Sequence, residues 1–207
     1  MADSPASAVN AALTYIGHTQ YIDVLTEPSA EAAVANQVWD ATLREILRAV
    51  PWPFAKQRVR PAALIATALD LGQVPGGWAY AYGYPINCVK VRAVWPNMRR
   101  PREDQRVPFE VERDSTLQAR IILTDQANAE IEFTAFVDDM SQWPADAVDA
   151  LSWRLAIKFA AGLRKDSKVM KDAMVGYNDA IATAIVGSKT ESPGDPQPDP
   201  AWIAGRG

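Results

Sequence analysis

The chain has 207 residues, 48% of them apolar and 22% charged, an ordinary globular composition that can bury a core in one compact domain or two small ones. Its 21 Lys and Arg against 25 Asp and Glu leave a net charge of −4, which gives neither a global basic field for wrapping nucleic acid nor the acidic excess of a disordered chain. A single cysteine, Cys88, excludes an intramolecular disulfide, and a single histidine, His18, excludes a Cys/His zinc site closed within one chain.

The opening MADSPASAVNAAL has no basic segment, and no run reaches the ~18 apolar residues of a membrane span, so the chain is expected to be soluble with no membrane partner. Charge is unevenly placed: residues 1–50 carry −4, residues 51–113 carry +5 and residues 114–143 carry −5. Strands pairing within one sheet account for such a pattern, and so does a surface with opposite signs on two sides, which suits head-to-tail contact in a ring.

Taken in chain order, Ser4-Pro5 reads as a cap and first-turn proline, and Ala8, Ala11, Ala12, Tyr15 and Ile16 recur at helical spacing until Gly17. Ser29 caps a second helix whose apolar stripe (Ala32, Ala35, Trp39, Leu43, Ile46, Leu47, Val50) runs about five and a half turns to Pro51. From Trp52 to Trp143 the pattern changes to proline, glycine and two-residue alternation. Strands are expected around Val89 to Trp95, Val107 to Val111 and Ile131 to Ala135, each with one wet face. Segments 117–123 and 129–136, joined by TDQAN, read as an antiparallel hairpin.

After Trp143-Pro144 the helical period returns, with Asp146 and Asp149 placed where a helix N-terminus favours anions. Val148, Leu151, Leu155, Phe159 and Leu163 form one apolar face, and Trp153, Ile157 and Ala160 form a second. Such a helix is either central in a bundle or wedged between subunits, so Trp153 and Ile157 are candidate interface residues. A last helix spans about 167–186, and residues 188–207, rich in proline, read as an extended flexible arm with one sticky spot at Trp202-Ile203. The fold class that follows is α+β: residues 1–51 and 144–187 supply one helical layer, residues 52–143 an inserted antiparallel β domain, and residues 188–207 the arm.

No residue constellation points to an enzyme, and no cofactor or metal is implied. His18 has no nucleophile motif to serve, and Cys88 reads as a small buried hydrophobe. Glu31 and Asp40 on one helix stand roughly 13 Å apart along its axis, beyond the ~5 to 9.5 Å that glycosidase carboxylates need. Trp78, Tyr80, Tyr82 and Tyr84 share a face of an extended segment, either as a stacking row for bases or sugars or as a packed aromatic strip. The basic loop MRRPREDQR offers Arg99, Arg100, Arg102 and Arg106 as possible DNA-channel contacts, or simply as a solvated loop.

ALTYIG, YIDVLTEPSAEA, LRAVPWPFAKQR, PGGWAYAYGYPINCVKV and SQWPADAVDALSWRLAIKFAAGL, in that order over about residues 8–165, resemble the head-to-tail adaptor family of short-tailed bacteriophages, also called tail tubular protein A. The resemblance does not extend to segment 96–106 or beyond residue 187. It implies a structural virion protein of the tail, assembled in the host cytoplasm. Its subunits would form a homo-oligomeric ring, a dodecamer, that docks beneath the portal protein and receives the tail nozzle protein. DNA would pass through the lumen without sequence recognition. Some relatives of the family have been proposed to degrade cell-wall polymers, so a peptidoglycan hydrolase is the alternative reading. A nucleic-acid-binding module resting on the arginine loop and the aromatic row is a further one.

Overall fold

In the computed structural model, residues 4–60, 62–67, 74–99, 101–115, 117–164 and 166–191 are described. The elements are α1 (Pro5–Tyr15), α2 (Ala30–Ala49), β1 (Lys56–Val59), β2 (Leu64–Thr67), β3 (Tyr80–Gly83), β4 (Cys88–Trp95), β5 (Glu110–Arg113), β6 (Arg120–Thr124), β7 (Glu130–Ala135), α3 (Ala145–Phe159) and α4 (Ser167–Glu191). Helices from both ends of the chain and two antiparallel sheets from its middle make the fold α+β, as the sequence predicts.

Helix ends follow local chemistry. The Ser4 hydroxyl accepts from the Ser7 amide while the Ser7 hydroxyl accepts from the Ser4 amide, closing a capping box before Pro5. At the other end of α1, Gly17 takes φ 68°, the His18 amide donates to Leu13 and the Gly17 amide donates to Thr14. Glycine is needed there because this left-handed position is costly for a residue with a Cβ. Ser29 caps α2 through the Ala32 amide, and Pro51 follows its end. α3 widens into a π turn over Ala160–Arg164 instead of running straight to Leu163. α4 continues through Gly187, the expected boundary, to Glu191, and the first proline after it is Pro193.

The chain divides into two compact units. One holds Met1–Val59, Tyr84–Arg92 and Glu132–Ser188; the other is built on Arg60–Gly83 and Ala93–Ile131. The expected β domain at 52–143 is therefore not one body, because segments 52–59, 84–92 and 132–143 belong with the helices. In the helical unit Val9, Leu13, Leu43, Leu47, Leu155 and Phe159 are fully buried in one cluster. Trp52 joins them, with its indole N–H donating to the Ile46 carbonyl at 2.8 Å, and Phe54 packs its ring against Trp52 and Trp143. In the second unit Val74, Ala81, Ile121 and Leu123 pack together with Trp78 against them.

Strand pairing departs from the expected hairpin. β6 lies inside the sheet β2-β3-β6-β5, whereas β7 is central in a separate sheet, β1-β7-β4. With β3 on one edge and β5 on the other, β6 has no ladder left to offer β7. The hairpin partner of β6 is β5, with Arg113 opposite Arg120. The TDQAN loop is instead held to β3: the Tyr82 hydroxyl donates to the Gln126 carbonyl at 2.7 Å and accepts from the Ala129 amide. The wet face expected of β7 is also absent, since all six of its residues are buried. Glu132 is neutralised by Arg58, whose Nε donates at 2.8 Å, and by Lys56 at 3.4 Å; Glu130 pairs with Arg60. Basic and acidic segments of the sequence thus meet here as neighbouring strands.

Candidate functional site

α3 carries the residues singled out for an interface, and its surroundings decide what they can do. Its second apolar face is occupied from within the same unit. The Trp153 ring stacks on Tyr15 of α1, with centroids 3.9 Å apart and planes 14° from parallel, and Gly176 of α4 lies against the same ring. Ile157 is half-buried against the helical core. α3 thus sits among α1, α2 and α4 of its own unit, and Trp153 and Ile157, the expected interface residues, are each half-buried there. Trp202 and Ile203 lie outside the described residues.

Two polar arrangements fix this packing. The Tyr15 hydroxyl donates to Asp149 at 2.7 Å, so Asp149 serves α1 rather than the α3 N-terminus. Burial, then the Asp149 hydrogen bond, pushes the Tyr15 hydroxyl up to about 12. Glu45 of α2 accepts from Arg154 and Lys158, one turn apart on α3, each at 2.8 Å. Burial raises the Glu45 carboxyl, but Lys158 and Arg154 outweigh it and hold the group below its ordinary range.

Between α3 and α4 a cleft of about 320 Å³ is lined by Asp146, Asp149, Trp153, Gly176, Asp179 and Thr183. Among the described residues no group of three His, Cys, Asp or Glu could hold a metal ion. His18 is not bare surface: its Nε2 lies 2.9 Å from Glu31 in the first turn of α2. That hydrogen bond holds the Glu31 carboxyl below its usual range. Asp139 accepts from the Ser141 hydroxyl and amide and from Gln142, and Cys88 is half-buried at the start of β4. Of the two carboxylates weighed as a catalytic pair, Glu31 is thus tied to His18.

In the second unit the aromatic row divides. Tyr82 is buried and holds the 124–128 loop, Tyr80 lies beside it with centroids 6.3 Å apart, and Trp78 donates to Glu110 at 3.3 Å. This is the packed strip rather than a free stacking row. Of the loop arginines, Arg106 pairs with Glu103 and lies 5.2 Å over the Trp95 ring, while Arg99 and Arg102 are exposed; Arg100 lies outside the described residues.

What sequence reasoning missed is the outer face of α4 and the role of Arg92. Met174, Val175, Ile185 and Val186 are exposed, Val175 and Val186 at 60% and 64%. Together with exposed Ala182 they recur at steps that keep them on one side of the helix, opposite buried Ala173, Ala180 and Ala184. The stripe was visible as surplus apolar residues in a helix already supplied with a core face. Arg92 on β4 closes the end of α2: its Nη2 donates to the carbonyls of Leu47, Arg48 and Val50 at 2.9, 3.1 and 2.7 Å, and its Nε donates to Thr134. No protein-family model matches the sequence, and comparison with curated proteins finds no match.

Proposed function

We propose that the chain is a structural ring subunit, a head-to-tail adaptor that joins a portal to a tail nozzle and lines part of a DNA channel. The order of its motifs along residues 8–165 supports the family. The observation that carries the oligomeric part is the outer face of α4. Met174 with Val175 and, beyond exposed Asn178, Ala182 with Ile185 and Val186 make an interrupted apolar row on one side of this 25-residue helix, and clustered exposed apolar side chains mark a surface that meets another chain. In this reading that row meets the neighbouring copy, and assembly in the host cytoplasm precedes residence in the virion tail. Hydrolysis of cell wall is not part of the reading, because the one carboxylate pair the sequence suggests, Glu31 and Asp40, lies on the single helix α2 roughly 13 Å apart along its axis.

Purified protein mixed with portal rings, followed by sedimentation and negative-stain imaging, tests this directly. Wild type should add a ring of density to the portal. Val175→Asp/Val186→Asp should melt at the wild-type temperature yet fail to assemble, since the change puts charge on a face that is wet in the free subunit. A variant that still assembles removes α4 from the interface. Wild type that ignores the portal, or that releases fragments from peptidoglycan, overturns the adaptor reading.

A further inference from the structure

One face of the sheet β1-β7-β4 concentrates positive charge within the helical unit. Side chains two apart on a strand share a face, so Lys56 and Arg58 of β1 lie on the side of Glu132, which they contact, and Lys90 and Arg92 of β4 on the side of Thr134, which Arg92 contacts. Glu132 and Thr134 are themselves two apart on β7, so both pairs occupy one face. Arg48, at the end of α2, reaches the same strand by donating to the Val89 carbonyl at 2.8 Å. Within the helical unit five cations, two of them in contact with it, thus stand against the single carboxylate Glu132, while Glu130, two before it on β7, is matched by Arg60. The C-terminal end of α2 adds about half a negative charge, which leaves about +3.5.

The charge is crowded as well as numerous. Arg92 and Arg48 push the Lys90 ammonium below its ordinary range, Arg92 most strongly, and burial adds to the effect. Among the described residues the Lys90 side chain has neither an ion pair nor a hydrogen bond. Arg92 spends its donors on the helix end, so it contributes field rather than contact.

We infer that this face binds the phosphate backbone of duplex DNA without reading its sequence. The choice follows from what the face lacks. The side chains at 56, 58, 90, 92, 132 and 134 include no aromatic or large aliphatic residue, so a protein partner finds no anchor of the kind that carries binding energy at interfaces. For the same reason single-stranded bases find nothing to stack on. A pleated sheet face puts no helix into a groove, so contacts stop at the phosphates and carry register rather than sequence. This places DNA contact on β1 and β4 rather than on the arginine loop at 99–106. It deepens the adaptor reading, on which the choice of DNA as the anion rests; the charge constellation does not depend on it.

Fluorescence anisotropy with a labelled, mixed-sequence DNA duplex, titrated with salt, tests the inference on the full chain. Wild type should bind with an affinity that falls linearly in a log–log plot against salt, whatever the duplex sequence. Lys90→Gln, which removes a side chain with no structural partner, should weaken binding several-fold and shallow the slope by about one; Lys56→Gln/Lys90→Gln should lose about twice that slope. Lys90→Arg should bind as wild type, and so should Arg102→Gln in the loop. Thermal melts at the wild-type temperature keep the variants interpretable. If Lys90→Gln binds DNA as wild type does, or if a poly-glutamate peptide displaces DNA at equal charge concentration, the inference is wrong. Portal co-sedimentation of Lys90→Gln separates the two readings: it should be unchanged, and loss of portal binding in wild type with DNA binding intact would sink the adaptor reading alone.

Discussion

Tyr15 couples α1 to α3 in two ways that substitution can separate. Its ring stacks on Trp153 and its hydroxyl donates to Asp149. Tyr15→Phe keeps the stack and leaves Asp149, which is half-exposed, to water; the cost should be about 0.5–1.5 kcal/mol, the net worth of one hydrogen bond. Tyr15→Ala also removes a half-buried, stacked ring and should cost more, about 2–3 kcal/mol, measured by denaturant unfolding. The pH dependence has a definite sign. A hydroxyl held at about 12 in the fold and near 10 in the unfolded chain stabilises fully below pH 10, and that stability drains away as pH rises from 10 towards 12. Absorbance titration of the phenolates should lose a late component in Tyr15→Phe. At this scale the sequence was only partly legible. Lys56, Arg58 and Arg60 alternate in one segment and Glu130 and Glu132 in another, a complementary period of two that marks paired strands without saying which strands pair. Arg92 left no comparable trace, because its partners are main-chain carbonyls at the end of a helix more than 40 residues away.

Elements were most legible where chemistry is local. Ser4, Gly17, Ser29 and Pro51 act on their own helix ends, and each end lies where these residues place it. Strand pairing was not legible, because whether β6 has a free edge depends on strands remote in sequence. The contact of α4 with α3 shows the same dependence at one glycine. Gly176 lies within the apolar pattern of α4, where Ala would ordinarily stabilise a helix by about 1 kcal/mol. A Cβ at this position would lie 2.6 Å from Cε3 of Trp153 and 2.7 Å from two further ring atoms. The ring cannot simply retreat, since Tyr15 is stacked on it at 3.9 Å. Overpacking of this kind costs about 1–3 kcal/mol, so the clash should outweigh propensity and Gly176→Ala should be destabilising. A double-mutant cycle decides the cause. Gly176→Ala in a Trp153→Leu background should be neutral or stabilising, and equal loss in both backgrounds would show that the ring is not the obstacle.

At the scale of the whole molecule, net charge and composition constrained little, and the division into units is where linear reading failed most. A β domain read as residues 52–143 is contiguous in sequence, yet the chain leaves the helical unit after Val59, returns for Tyr84–Arg92 and returns again at Glu132. Burial explains why. Val89 packs in the helical core, whereas Ile121 and Leu123 pack with Val74 and Ala81, and nothing in a period of two distinguishes one buried strand from another. The division makes a prediction about cooperativity. Leu123 is fully buried, and Leu123→Ala should leave a cavity costing about 2–5 kcal/mol. If each unit keeps its own core, that cost falls on β3, β5 and β6, whose ladders meet around Leu123, while α1, α2 and α3 retain Leu13, Leu43 and Leu155 in a cluster the substitution does not touch. Native-state hydrogen exchange should then show faster opening of the β3, β5 and β6 amides with helix protection held at the wild-type level. Equal acceleration in the helices would mean that the chain opens as one cooperative body, and that β4 and β7, which the division cuts at Arg92 and at Glu132, transmit the loss in full.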